Sequence, residues 1–171
     1  LVGWVTSYVS EVIQIFGYTV VILLVLLVAY FRKFYGLLLP SIGIALTTTW
    51  GLGMLSLLGY NLDPLMLVVP FLVSARAMSH GVQIVERFYT ELGEIADKKI
   101  AARNTFEGLF RPGSLGVISD AIGLLLISLG TVPINDKLAI YASLWAGSVV
   151  ITVLIFLPVM LEILPQTGEQ S

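Results

Sequence analysis

Arg76, Ser79, His80 and Gln83 fall within eight residues of a stretch that is otherwise apolar, running from Leu65 through Val68, Val69, Phe71 and Leu72 to Val85. Positions 76, 80, 83 and 87 differ by four, three and four, so on a helix Arg76, Ser79, His80, Gln83 and Arg87 form one polar stripe. A second apolar stretch holds a single ionisable residue, Asp120, with Ser119 beside it and Gly123 nearby. A guanidinium, a carboxylate and an imidazole able to titrate near neutral pH are the parts of a proton or ion relay. The competing reading has no chemistry in it: Arg76 and Asp120 form a buried ion pair that only locks two helices together. A charge in mid-span costs about 2.5 to 3.5 kcal/mol on insertion scales, so either role needs the two charges to pair.

The surroundings of these residues decide what the stripe means. The chain has 171 residues, of which 57% are hydrophobic and 12% charged. A typical soluble domain carries about 25% charged residues, so this one lacks the polar surface to face water on all sides. Several runs reach the roughly 18 to 20 apolar residues that cross a bilayer core about 30 Å thick. With a net charge of −2 and no basic face, nucleic acid is not expected as a partner. The chain has no cysteine, which excludes disulfides and thiolate metal sites. No metal-ligand spacing, nucleophile elbow or phosphate-cradling loop appears, so neither a cofactor nor an enzyme activity is expected.

The expected fold is an all-α membrane protein of five transmembrane helices and one amphipathic helix on the cytoplasmic surface. The spans are placed at about 9–31, 37–58, 63–87, 113–130 and 136–164, in a single transmembrane domain covering 1–171. Asp63-Pro64 reads as an N-cap followed by proline at the first helical position, and Asp136 as a second N-cap. Pro112-Gly113 is expected to open the fourth span, and Pro70 and Pro158 to kink theirs. Over about 91–110, Leu92, Ile95, Ala96, Ala102, Phe106, Leu109 and Phe110 recur on one helical face, with Glu91, Glu94, Lys98 and Arg103 among the polar positions. That pattern predicts a surface helix rather than a solvated loop.

Loop charges give the orientation. Arg32, Lys33, Arg87, Lys98, Lys99, Arg103 and Arg111 fall on one side and Lys137 on the other, which puts the amino terminus outside and the carboxyl terminus in the cytoplasm. The chain starts at Leu1 without a signal-peptide pattern, so an upstream span and an exterior domain are expected in a longer protein. His80 lies seven residues from Arg87 and Asp120 eight from Pro112. If those residues mark the cytoplasmic ends, both groups sit roughly 10 to 12 Å deep at matching level, with Arg76 one turn further in.

The remaining polar and small residues fit span chemistry. Thr47, Thr48 and Thr49 are expected to bond back to helix carbonyls. Glu11 and Gln14 belong near the outer interface and Glu162 near the inner one, with Trp4, Tyr8, Tyr30, Tyr35 and Tyr60 as interfacial anchors. Gly43 and Thr47, Ala75 and Ser79, Ala77 and Gly81, and Ala142 and Ala146 repeat at four-residue spacing, which lets helices approach closely. Gly51 and Gly53 read as packing residues.

"LDPLMLVVPFLVSARAMSHGVQIVERF", followed after the polar segment by "RPGSLGVISDAIGLLLISLGTVPI", resembles the resistance-nodulation-division (RND) superfamily, in its MMPL-like predicted-exporter branch. The Leu-Asp-Pro entry, Ser79-His80-Gly81 and Ser119-Asp120-Ala121 carry the likeness, which covers essentially the whole chain. It implies the second to sixth transmembrane helices of one half-transporter, the five-helix block that eukaryotic relatives use as a sterol-sensing domain. It also implies proton-driven efflux of hydrophobic or amphiphilic molecules, such as lipids, sterols or hopanoids, across a bacterial inner membrane. The implied partners are membrane lipids, protons, a periplasmic domain and a second transmembrane half of the same protein, and a homo-oligomer. One feature departs from the family: many such pumps carry carboxylates in the helix equivalent to the third span, which here has none between Asp63 and Glu86. Either His80 with Asp120 takes that role or the other half supplies it. A lipid sensor without transport, or a scaffold for the missing domain, are the competing functions.

Overall fold

The computed structural model describes residues 2–31, 34–60, 66, 68–130 and 133–164. All regular structure among them is helical: α1 (Val2–Phe31), α2 (Phe34–Leu57), α3 (Val68–Ile95), α4 (Lys98–Leu125), α5 (Pro133–Val149) and α6 (Phe156–Ile163). A 3-10 turn, Leu126–Leu129, finishes α4, and a π-helical segment, Val150–Ile155, joins α5 to α6. The chain divides into two compact units, Leu1–Leu37 and Leu38–Ser171.

Four helical stretches are long and apolar enough to cross a membrane: Gly36–Leu57, Val68–Ile95, Lys98–Leu129 and Asp136–Ile163. In α1 the described apolar stretch is shorter, Gly17–Tyr30. The 32 residues of Lys98–Leu129 extend about 48 Å, against a hydrocarbon core of about 30 Å. The basic residues of this stretch, Lys98, Lys99, Arg103 and Arg111, all fall in its first half.

The separate surface helix expected over 91–110 does not form. Its first residues complete α3, and the rest begin α4. Two residues make the break. Ala96 turns the chain in the left-handed region at φ 54°, with its N–H closing on the Leu92 carbonyl at 3.0 Å. The Asp97 carboxylate then accepts the N–H groups of Lys99 (2.9 Å) and Ile100 (3.1 Å), capping α4. Pro112, expected to open a span, instead lies inside α4. Gly113 seats against Leu154 so closely that a Cβ there would lie 2.9 Å from the leucine methyl.

Two other boundaries differ from expectation. Helix α5 starts at Pro133, the position where a missing N–H costs nothing, so Asp136 sits in the first turn beside the positive helix end rather than at the cap. Pro70 lies in the first turn of α3, where N–H groups have no intrahelical partner, so no kink is required. Around Pro158 the expected distortion takes a definite form. The preceding segment widens to π geometry, and the Phe156 N–H reaches back five residues to Ile151. Asp63 and Pro64 lie outside the described residues.

The second unit is held by small residues and buried hydroxyls between α2 and α5. Thr47 Oγ1 donates to the Gly43 carbonyl at 2.8 Å, and Thr49 bonds back to Ala45 in the same way. The fully buried Trp145 donates its indole N–H to the Thr47 carbonyl at 2.7 Å. The Thr47 and Thr152 hydroxyls meet at 2.6 Å, and Thr152 also bonds to the Ser148 carbonyl. Thr47, Trp145, Ser148 and Thr152 thus satisfy one another or a helix carbonyl, as an apolar surrounding demands, whereas the buried Tyr141 hydroxyl on α5 has no hydrogen-bond partner among the described residues.

Candidate functional site

The α3–α4 hairpin sets the register of the site. Because the turn occupies only residues 96 and 97, residues equally far from it along the two helices face each other. Near the tip Asn104 Nδ2 donates to Glu91 Oε2 at 3.0 Å. Deeper, Arg76 Nε meets Asp120 Oδ2 at 2.5 Å. Arg76 and Asp120 are thus brought together, on two helices long enough to span a membrane. The Asp120 turn is fixed from the other side by α5, where Ser143 Oγ donates to the Ala121 carbonyl at 2.8 Å.

The pair stands at the wall of a cavity of about 400 Å³ enclosed by α3, α4 and α5. Ser119 and Gly123 line it beside Asp120, and Leu72, Val73, Val117, Ala146 and Val149 supply apolar walls. The side chains of Arg76 and Asp120 remain 45% and 39% exposed. They therefore form a reachable ion pair, not one sealed in packed core. The carboxylate is held by one charge-assisted contact to a guanidinium at the edge of an otherwise apolar cavity.

His80 is not part of that contact. Among the described residues no ion pair joins it to Asp120. It is buried, with Nε2 lacking a hydrogen-bond partner, beside a smaller cavity of about 160 Å³ lined by Gln83, Ile84, Leu109, Pro112, Gly113 and Leu154. The equal depth expected for His80 and Asp120 assumed that the fourth span begins at Pro112. With α4 continuous, Asp120 lies opposite Arg76, and His80 sits four residues, about 6 Å of helix rise, nearer the tip. The two cavities follow one another along the α3–α4 interface.

The rest of the stripe divides. Ser79 and Gln83 are exposed and joined only by a long contact, Nε2 to Oγ at 3.5 Å. Arg87 pairs with Glu91, one turn further along the same face, at 2.5 Å. Glu91, expected among the polar positions of a surface helix, does not face water. It is buried instead, held by Arg87 and Asn104 at the hairpin tip. The signal was present in the four-residue spacing of Arg87 and Glu91, but Asn104 joins them only once the hairpin closes.

Comparison of the chain with protein-family models, with curated proteins and with solved structures finds no match.

Proposed function

We propose that this chain is the membrane core of a proton-driven exporter of hydrophobic or amphiphilic molecules, of the resistance-nodulation-division type and seated in a bacterial inner membrane. The observation that carries the reading is the Arg76–Asp120 pair, joined at 2.5 Å across two long apolar helices and open to a cavity. Charges in such a place are expensive to insert, and their default role is functional. In the proposed cycle Asp120 is ionised while Arg76 holds it. Protonation releases Arg76 and lets α3 and α4 shift, the kind of two-state packing change that switches use. His80 exchanges protons through water in the smaller cavity towards the hairpin tip, not by touching Asp120.

Proton flux into liposomes carrying the chain under an imposed pH gradient tests this. Asp120→Asn keeps the size and removes the charge, and is expected to abolish flux while leaving helicity intact. Arg76→Leu with Asp120→Leu is expected to fold and remain silent. A purely structural lock predicts the reverse: the single change destabilises by orphaning Arg76, and the double change restores folding and flux together. Full flux in the charge-free double variant would sink the relay.

A second reading, a lipid-responsive sensor, draws on the cavity itself. Its volume of about 400 Å³ is in the range of small-molecule sites, and its walls are apolar apart from the ion pair and Ser119. A sensor would show no proton flux in the unaltered chain, yet would change its unfolding temperature on addition of a sterol or hopanoid.

A further inference from the structure

The first turns of α4 and the last turns of α6 run antiparallel, with the Lys98 ammonium donating to the Leu164 carbonyl at 2.5 Å. Between them lies an open groove of about 310 Å³. Lys99 and Arg103 line its α4 side and Glu162 its α6 side near the helix ends, while Phe106, Ile155 and Val159 line it further in. Lys99 and Phe106 are seven residues apart, about 10 Å along the helix. The groove is therefore charged at its mouth and apolar in its depth, over about the distance that separates a lipid headgroup from the start of its acyl chains. The surplus length of α4 beyond a hydrocarbon core brings the charged mouth to the headgroup layer.

The mouth carries both signs. Lys98 is occupied by the Leu164 carbonyl, and Arg103 Nε by Glu107 at 2.7 Å, which leaves the remaining guanidinium N–H groups to donate elsewhere. Lys99 and Glu162 form no ion pair among the described residues, and both are exposed. An anionic headgroup would satisfy Lys99 and the N–H groups of Arg103 that Glu107 leaves open, and meet Glu162 with like charge. A choline headgroup offers Glu162 a cation with no N–H to donate. We propose that the groove binds a phospholipid whose headgroup carries a protonated primary amine, of the phosphatidylethanolamine class. Its phosphate rests on Lys99 and Arg103, its ammonium on Glu162, and one acyl chain over Phe106, Ile155 and Val159. This site lies apart from the Arg76–Asp120 cavity and does not depend on transport.

Native mass spectrometry of the full chain tests the assignment, after equilibration in micelles holding equal amounts of phosphatidylethanolamine, phosphatidylglycerol and phosphatidylcholine with identical acyl chains. One phosphatidylethanolamine per chain should be retained in preference to the other two. Lys99→Gln with Arg103→Gln should lower its retention about tenfold, the equivalent of one charge-assisted hydrogen bond. Glu162→Gln should turn the preference towards phosphatidylglycerol, and Val159→Trp should displace the lipid whatever its headgroup. Equal retention of all three lipids, best retention of the anionic one, or no retained lipid by the unaltered chain overturns the proposal. So does a phosphatidylethanolamine preference that survives Glu162→Gln.

Discussion

At Gly51 a single hydrogen atom decides whether α2 and α5 can meet. A Cβ built there would lie 2.0 Å from Cε2 and 2.1 Å from Cδ2 of Trp145, far inside van der Waals contact with the indole. The ring has nowhere to retreat, being fully buried, packed against the tilted Tyr141 ring at 5.3 Å between centroids and tied through Nε1 to the Thr47 carbonyl. Gly51→Ala should therefore destabilise by about 3 kcal/mol, the upper part of the range for overpacked cores. The same helix supplies the control two residues on: nothing lies within 4 Å of a Cβ at Gly53. Gly53→Ala should be neutral or gain up to about 1 kcal/mol from helix propensity. Denaturant titration in detergent, followed by tryptophan emission, separates the two. Equal stability of both variants would show that the indole does not sit on Gly51. Of the two glycines expected to be packing residues, only Gly51 thus meets a neighbour.

At the scale of the element, the hairpin turn controls the candidate site. It consists of one residue in a strained conformation and one cap. A left-handed alanine costs about 1 to 2 kcal/mol that glycine does not incur. Ala96→Gly should accordingly stabilise the fold by about 1 kcal/mol, net of the entropy glycine loses on folding. Asp97→Ala removes the acceptor for Lys99 and Ile100 and should cost about 1 kcal/mol. Thermal unfolding in detergent checks both signs, and destabilisation by Ala96→Gly would contradict the left-handed turn. The hairpin was hard to see in the sequence for a physical reason. Neither glycine nor proline marks the turn, while proline does stand at 112, where the helix continues.

For the whole molecule, the α3–α4 tip and the start of α5 should lie on opposite faces of a membrane. Glu94 and Asp136 are both exposed, and the chain has no cysteine of its own. Single cysteines at these positions should label from opposite sides of sealed vesicles, with position 94 on the cytoplasmic side, as the lysine and arginine asymmetry predicts. Labelling of both from the same side would overturn the topology. The same geometry links the candidate site to the tip, because α3 and α4 run without interruption from one to the other.

Composition and apolar run length determined that the chain is helical and suited to a membrane, because the bilayer requires every backbone group to bond within its own segment. The types and spacing of Arg76 and Asp120 were enough to pair them, since neither charge is cheap alone in hydrocarbon. Which groups lie at the same depth was a different matter. It depends on where one helix ends and the next begins, and at Ala96 and Asp97 that boundary is set by a dihedral angle and two capping bonds rather than by a strong local signal. Only the closed hairpin could move His80 one turn from Asp120, bury Glu91 against Asn104 and place Lys99 across a groove from Glu162. Contacts between residues far apart in the chain follow from register, and a shift of one helical turn changes every partner while leaving composition and periodicity as they were.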